Sequence, residues 1–472
     1  MKRILIQAGN DPFSVPTTES TLVRNHIRGN VGNLMYTNAA YKHLYVPGKT
    51  EIQVDTTPFA ELTVADAARI NAECDVFVIP MANAFKKKFV RHLGILADLV
   101  RKLKVPVVVI GVGAQATLSY DTEFLAPVNS AVKRFIGAVL DHSASIGVRG
   151  EFTQRYLGEL GFKDVDVIGC PSVYFRGPQF RMENPAGRAL PENARIALST
   201  ALRLANAEHA SAINASILKQ HPDLTYFAQE SRDLQTLFWG DTSVAAERYA
   251  PMPDLGSHPL LRSADVCVPL EPHSWIDVLK EYDFAVGTRI HGNIAALAAG
   301  TPAYVFAHDS RTLELARYHH IPHKVLGDIP ADVDVADLYA EADYSAFNEH
   351  YDEGFQRLLA FLTKNGFQNV YEHGDGGAEY DRKVAATEFT EPYRRTEDHD
   401  QADLLFRMTL LREQLLDTTA KAEKKAAAQA ARIKKLETQI AQQEDRLSAL
   451  ETQVKGGIPA RSRGIMKRLS SK

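Results

Sequence analysis

The chain has 472 residues, 45% of them hydrophobic and 24% charged, a balance that excludes a disordered or fibrous polymer and allows two or three domains with their own cores. A formal net charge of −4 provides no overall field for nucleic acid. The three cysteines, Cys74, Cys170 and Cys267, lie far apart in apolar runs, which fits neither a disulfide framework nor a metal-binding pair, and no metal is expected. The apolar run after Met1-Lys2-Arg3 is too short for a signal peptide, and no stretch approaches bilayer-spanning length, so the sequence reads as soluble and cytoplasmic.

Ile4-Leu5-Ile6-Gln7 opens the first strand. Further on, Arg28-Gly29-Asn30-Val31-Gly32-Asn33 stands at the entrance of a helical stretch from Leu34 to Leu44. Glycines and asparagines there let the backbone approach a ligand closely, although the spacing is not the dinucleotide-binding fingerprint. Strand Asp75 to Ile79 is followed by a Lys- and Leu-rich helix around Lys86 to Lys102. Strand Pro106 to Ile110 then leads into Gly111-Val112-Gly113-Ala114-Gln115. A helix near Val128 to Leu140, strand Ser145 to Val148 ending at Arg149, helix Glu151 to Leu160, and strand Val165 to Ile168 running into Gly169-Cys170-Pro171-Ser172 complete the first half. Such alternation implies an α/β fold with a mostly parallel sheet covered on both faces. Ligands of these sheets sit beyond the carboxyl ends of the strands, where Asn83, Gly111 to Gln115, Arg149 and Cys170 to Ser172 fall.

Pro178, Pro185, Gly187 and Pro191 interrupt the pattern and mark a boundary, giving an N-terminal α/β domain over 1–185 and a second over 186–365. Two such domains imply a cleft between facing strand ends, the default active-site location. In the second domain, strand Asp283 to Val286 runs into Gly287-Thr288-Arg289-Ile290-His291-Gly292-Asn293 and an alanine-rich helix stopped by Gly300 and Pro302. Arg289 and His291 therefore stand where a strand's carboxyl end meets a helix amino end, a place attractive to anions. Arg289 adds a two-pronged donor for carboxylate or phosphate, and His291 a group able to move a proton near neutral pH. Taken singly, Arg289 reads equally as an ion-pair partner and His291 as a helix cap; together they favour an anion site. In Asp309-Ser310-Arg311, Asp309 or Ser310 reads first as a helix cap. His319 and His320 read as helix-end residues, and Cys170 as a packing residue whose neighbours offer no base.

The polar stretch 366–402 reads as a linker. From 403 to 455 glycine and proline nearly vanish, and Ile433, Leu436, Ile440, Leu447, Leu450 and Val454 fall on alternating three- and four-residue steps. This is the pattern of a parallel two-stranded coiled coil, weakened by Thr419, Ala422 and Ala426 upstream, and it predicts a homo-oligomer. The basic tail, 456–472, would be solvated or make weak contact with an anionic membrane surface at the inner face.

Gly147-Val148-Arg149-Gly150-Glu151-Phe152-Thr153, Ile168-Gly169-Cys170-Pro171-Ser172, and Gly287-Thr288-Arg289-Ile290-His291-Gly292 with Ala296-Leu297-Ala298-Ala299-Gly300-Thr301-Pro302 resemble, in that order, the polysaccharide pyruvyl transferase family. The resemblance spans roughly the first three quarters of the chain. It implies two Rossmann-like domains as in GT-B glycosyltransferases. It also implies transfer of the enolpyruvyl group of phosphoenolpyruvate onto two hydroxyls of a sugar in a cell-surface polysaccharide or its lipid-linked precursor, giving a cyclic ketal, with no cofactor beyond the donor. His291 is then the catalytic acid/base. Arg289, Arg149, Arg203, Asn293 and Arg311 become donor-binding candidates, and Asn30, Gly32, Asn33 and Asn83 acceptor-binding ones. Two other readings share the architecture: a nucleotide-sugar glycosyltransferase, for which Glu314 is the candidate ribose-binding carboxylate, and a non-catalytic scaffold that binds a sugar phosphate.

Overall fold

Continuous apolar runs build the sheets, as parallel strands buried on both faces require. The computed structural model describes residues 1–202, 207–239, 259–262, 265–394 and 400–457. In the first half, β1 (Lys2–Gln7), β2 (Thr50–Asp55), β3 (Val76–Pro80), β4 (Asn83–Phe85) and β5 (Val107–Ile110) are followed by β6 (Gly113–Ala114), β7 (Ile146–Val148) and β8 (Val165–Val167). The main sheet has the parallel order β2-β1-β3-β5, with β4 paired to β6 and β7 to β8. Every residue of β3 and β5 is buried, whereas β2 at the edge alternates buried and exposed positions. The core gathers Leu5, Phe77, Leu96, Val109, Phe135 and Val148, under 4% exposed.

The second half contributes β9 (Ile196–Leu198), β10 (Thr225–Phe227), β11 (Asp265–Val268), β12 (Phe284–Gly287), β13 (Ala303–Ala307), β14 (His323–Val325) and β15 (Tyr393–Arg394). They form one sheet in the order β14-β13-β12-β9-β10-β11-β15, parallel except for β15. The two sheets fall on either side of the expected boundary, but no separable unit ends there. Met1–Glu397 is one compact unit and Asp398–Lys472 the other. Side chains stitch the halves together. Gln115 Nε2 donates to Asp309 Oδ2 (3.1 Å), Ala116 N to Ser310 Oγ (2.8 Å), and Lys2 Nζ to the Gly366 carbonyl (2.7 Å).

The expected linker over 366–402 is a correction. Its residues form the helices Val370–His373 and Ala378–Ala385 and the edge strand β15, with Tyr380 fully buried. Polar composition misled here because the anchors are few: Tyr380, and Lys42 paired with Asp381 at 2.6 Å. In the other unit a single helix, Gln401–Gly457, runs 57 residues, about 85 Å at 1.5 Å per residue. The residues of the tail from 458 onward lie outside the described set. Among the described residues no helix is long and apolar enough to cross a membrane.

Candidate active site

The strand order places the site. The chain passes outward through β9, β10 and β11, then resumes at β12 on the other side of β9, so the strand order reverses between the neighbours β9 and β12. A switch point of this kind opens a crevice beyond the carboxyl ends of the strands, and Arg289 and His291 follow β12 there. The two strand ends pinch together: Arg289 N donates to the Ser199 carbonyl at 3.0 Å. A Cβ on Gly287 would lie 2.1 Å from that same oxygen, so only glycine fits. Asn293 Nδ2 donates to the carbonyls of Gly287 and Arg289, both at 3.0 Å, and the residue is wholly buried. The Asn293 Nδ2 thus holds the turn that presents Arg289, while its Oδ1 is buried without a partner.

The first half closes over His291. Helix Gly32–Leu44 begins so near that a Cβ on Gly32 would sit 2.7 Å from His291 Cβ. One turn on, the Tyr36 ring lies 5.7 Å from the imidazole, and the Arg149 guanidinium stands 5.5 Å from the Tyr36 ring. Asn30 Oδ1 accepts from Gly32 N at 2.8 Å, and Asn33, half-buried in the first turn, donates its N–H to the Asn30 carbonyl at 3.0 Å. The same loop is tied to the end of β10: Val31 N donates to the Gln229 carbonyl (3.0 Å) and Ser231 N to that of Gly29 (3.2 Å). Asn83 is set further along, donating Nδ2 to Gln115 Oε1 at 2.7 Å, and Gln115 in turn reaches Asp309. Asn30 and Gly32 are thus gathered at His291, Asn33 follows in the same turn, and Asn83 belongs to the Gln115–Asp309 chain. Arg203 lies outside the described residues.

Positive charge dominates the crevice. Arg149 is 0% exposed; its Nε donates to the Gly111 carbonyl at 2.6 Å and Nη2 reaches the Met81 carbonyl at 3.4 Å, while Nη1 has no partner. Among the described residues no carboxylate forms a salt bridge with it, so Arg149 stands as a buried cation. Arg289 pairs with Glu230. Burial opposes the Arg289 charge, but Glu230 outweighs it and keeps the guanidinium above its ordinary range. Arg311 sits 3.3 Å from Asp309 Oδ2, with its Nε unpartnered, and His308 Nε2 lies 3.6 Å from the same oxygen. Burial, then Arg149, Arg311 and Arg289, hold His291 well below the usual imidazole range, so the ring is neutral at pH 7. Asp309 caps helix Ser310–Tyr318 through Thr312 N, as its position after β13 suggested.

Several participants escaped the sequence reading. Tyr36 looked like one more apolar helix residue, and Glu230 and His308 are strand-end positions on β10 and β13 that the strand-end rule could have flagged. Cys170 was assigned no nearby base, yet its Sγ is 3.9 Å from His291 Nε2 and 3.0 Å from Ser172 Oγ. The base comes from 121 residues further along the chain, beyond what local spacing reveals. Cys170 is nevertheless fully buried. Glu314, the candidate ribose ligand, is also buried, and its carboxylate accepts from Thr153 N (2.8 Å) and Oγ1 (3.1 Å) at the head of helix Glu151–Glu159. That removes the carboxylate on which a nucleotide-sugar reading leaned. Among the described residues no three His, Cys, Asp or Glu side chains converge as a metal site.

Solved structures that match the chain include S. aureus MnaA with UDP, at 14% identity over 83% of this chain and 100% of that one (TM-score 0.35). Another is Anabaena HepE with UDP and glucose, at 9% identity over 82% and 100% (TM-score 0.38). Likeness this loose carries no argument about fold or ligand. No curated protein matches the chain. The profile of the polysaccharide pyruvyl transferase family matches residues 21–310, a span that holds the Gly32 loop, Arg149, the Cys170 turn, Glu230, Arg289 and His291. The chain belongs to the polysaccharide pyruvyl transferase family.

Proposed function

We propose that this chain is a ketal-forming transferase. Phosphoenolpyruvate gives up its enolpyruvyl group to two hydroxyls of one sugar residue in a polysaccharide or its precursor. The observation that carries the reading is Arg149, a fully buried guanidinium with a free Nη1 and no salt bridge among the described residues, close enough to depress the His291 pKa together with Arg289 and Arg311. A buried cation without a counter-ion is costly, and a small polyanion would supply one. Phosphoenolpyruvate carries both a carboxylate and a phosphate, each suited to arginine forks.

The chemistry follows from the charges. A neutral His291 is ready to accept a proton from an attacking hydroxyl. The bound donor's negative charge offsets the three guanidiniums and raises the imidazole pKa, so that the ring can hold that proton and pass it on. The first sugar oxygen bonds to C2 of the donor as the methylene carbon C3 takes a proton and becomes a methyl group. The C2–O bond to phosphate then breaks, and the electron pair leaves with the phosphate. The second hydroxyl closes on C2, and its proton leaves with the phosphate as hydrogenphosphate. Asn30 and Asn33, on the loop over His291, are the acceptor-side groups in this arrangement.

A thermal-unfolding screen tests the assignment. Phosphoenolpyruvate is expected to raise the midpoint, as a ligand that binds only the folded state must, while UDP-glucose and UDP-N-acetylglucosamine leave it unchanged. Stabilisation by the nucleotide sugars without any by phosphoenolpyruvate would falsify the proposal.

A further inference from the structure

On the Asp309 side of the crevice, Lys86 and Arg311 share the charge of a carboxylate that is already in use. Strand β4 ends at Phe85, whose carbonyl accepts from Gln115 N at 3.2 Å, and Gln115 Nε2 in turn reaches Asp309. Lys86 follows Phe85 and is thereby set beside the head of helix Ser310–Tyr318. Lys87 and Lys88 after it are exposed, whereas Lys86 is half-buried. Among the described residues its ammonium forms no hydrogen bond and no salt bridge, and the charges that act on it are those of Arg311, Asp309 and Lys88. Asp309 Oδ1 accepts from Thr312 N and Oγ1, both at 2.8 Å, while Oδ2 receives Gln115 and lies 3.3 Å from Arg311. His308 adds no charge at pH 7, because burial holds its imidazole down at about 4.

We propose that Lys86 and Arg311 together bind the phosphate group of the donor, leaving its carboxylate to Arg149 and Arg289. The assignment to the donor rests on the phosphoenolpyruvate reading above. The shape of the donor set supports it first. An ammonium offers three N–H groups that rotate freely, and Arg311 adds a buried Nε without a partner. Such a set suits the three free oxygens of a phosphate better than the flat pair of a carboxylate. Charge supports it next. Lys86 and Arg311 against Asp309 leave a positive surplus in a partly desolvated place, which an anion relieves. Burial, then Arg311, push the Lys86 ammonium down to about 8, and an incoming phosphate acts in the opposite direction. Arg311 also bears on His291, so the phosphate would adjoin the group that moves the proton. The electron pair that leaves C2 with the phosphate then arrives on oxygens already facing two cations.

Titration calorimetry on the full chain tests this with inorganic phosphate, phosphoenolpyruvate and pyruvate as probes. In Lys86→Met, which keeps the aliphatic stem, phosphate and phosphoenolpyruvate are expected to bind about tenfold more weakly than to the wild type, the lower end for a charge-assisted hydrogen bond. Pyruvate, which has the carboxylate but no phosphate, should bind both proteins equally. Lys86→Arg should recover most of the loss. The melting temperature of Lys86→Met should not fall, since the charge removed is unpaired. Unchanged affinity for phosphate and phosphoenolpyruvate in Lys86→Met overturns the inference and leaves the transferase reading standing. An equal loss for pyruvate overturns it too, and assigns Lys86 to shaping the crevice as a whole. If phosphate binding depends on Lys86 but the wild type does not bind phosphoenolpyruvate, the transferase reading fails, and the assignment to the donor fails with it.

Discussion

A guanidinium buried without a salt bridge is destabilising by itself, and among the described residues Arg149 has none. Its hydrogen bonds go to the carbonyls of Gly111 and Met81, neutral acceptors that satisfy two nitrogens without cancelling the charge. The physical expectation is a trade between stability and function. Arg149→Met keeps the aliphatic stem and removes the charge, at the cost of two hydrogen bonds worth about 1 kcal/mol each. Because the desolvation of an unpaired ion outweighs that loss, the variant should melt at or above the wild-type temperature. Its affinity for phosphoenolpyruvate should fall roughly 10- to 100-fold, the value of a charge-assisted hydrogen bond to an anion. Calorimetry and thermal unfolding on the same preparations decide it. A large drop in melting temperature would mean that Arg149 is structural. His291 follows from the same charges: its neutrality in the free protein is a product of burial and of the arginines around it, and not of a hydrogen-bond partner.

Between the halves, the most informative element is helix Glu151–Glu159, whose head is capped by Glu314 from helix Ser310–Tyr318. Burial pushes the Glu314 carboxyl up to about 7, even though the Thr153 hydrogen bonds favour its charged form. For a carboxyl whose folded pKa is raised, folding favours the protonated state, so its contribution to stability declines as pH rises from the unfolded value near 4.5 through 7. Glu314→Gln mimics the protonated state at every pH. It should match the wild type in urea unfolding near pH 5 and exceed it near pH 8; a difference that stays constant across that range would show that Glu314 does not titrate there. This element also marks the limit of what the sequence could tell. Strand and helix alternation was plain in the buried runs of β3, β5 and β12, because a parallel sheet needs unbroken apolar stretches. The polar edge strand β2 and the helices over 370–385 were not read, since each is anchored by only a few residues. Arg289, His291 and Arg149 were legible because a strand end and a helix start fix where their backbones go. Tyr36 and the contact between Cys170 and His291 were not, because they arise only when the halves fold together, and Glu230 is drawn to Arg289 from 59 residues away, beyond what local spacing reveals.

At the scale of the whole chain, the catalytic body and the long helix are two different kinds of structure. Met1–Glu397 contains both sheets and their core and forms one compact unit. Helix Gln401–Gly457 has no comparable core, and Ile433, Leu436, Ile440, Leu447 and Leu450 are 49–60% exposed. Their three- and four-residue spacing puts them on one stripe, and a second copy of the same stripe is the simplest surface able to cover it. Full burial of one such side chain is worth about 1.5–3 kcal/mol, and roughly half of that remains to be gained at each of the five positions on each helix. A chain ending at Glu397 is therefore expected to keep the melting temperature and phosphoenolpyruvate affinity of the full protein while its mass by light scattering falls to that of a monomer. The full chain should give twice its own mass under the same conditions. Alanine at Leu436, Ile440 and Leu447 should have the same effect on mass as truncation, without shortening the helix. Equal oligomeric order in the full and truncated chains would assign self-association to the catalytic body and leave the apolar stripe to some other partner.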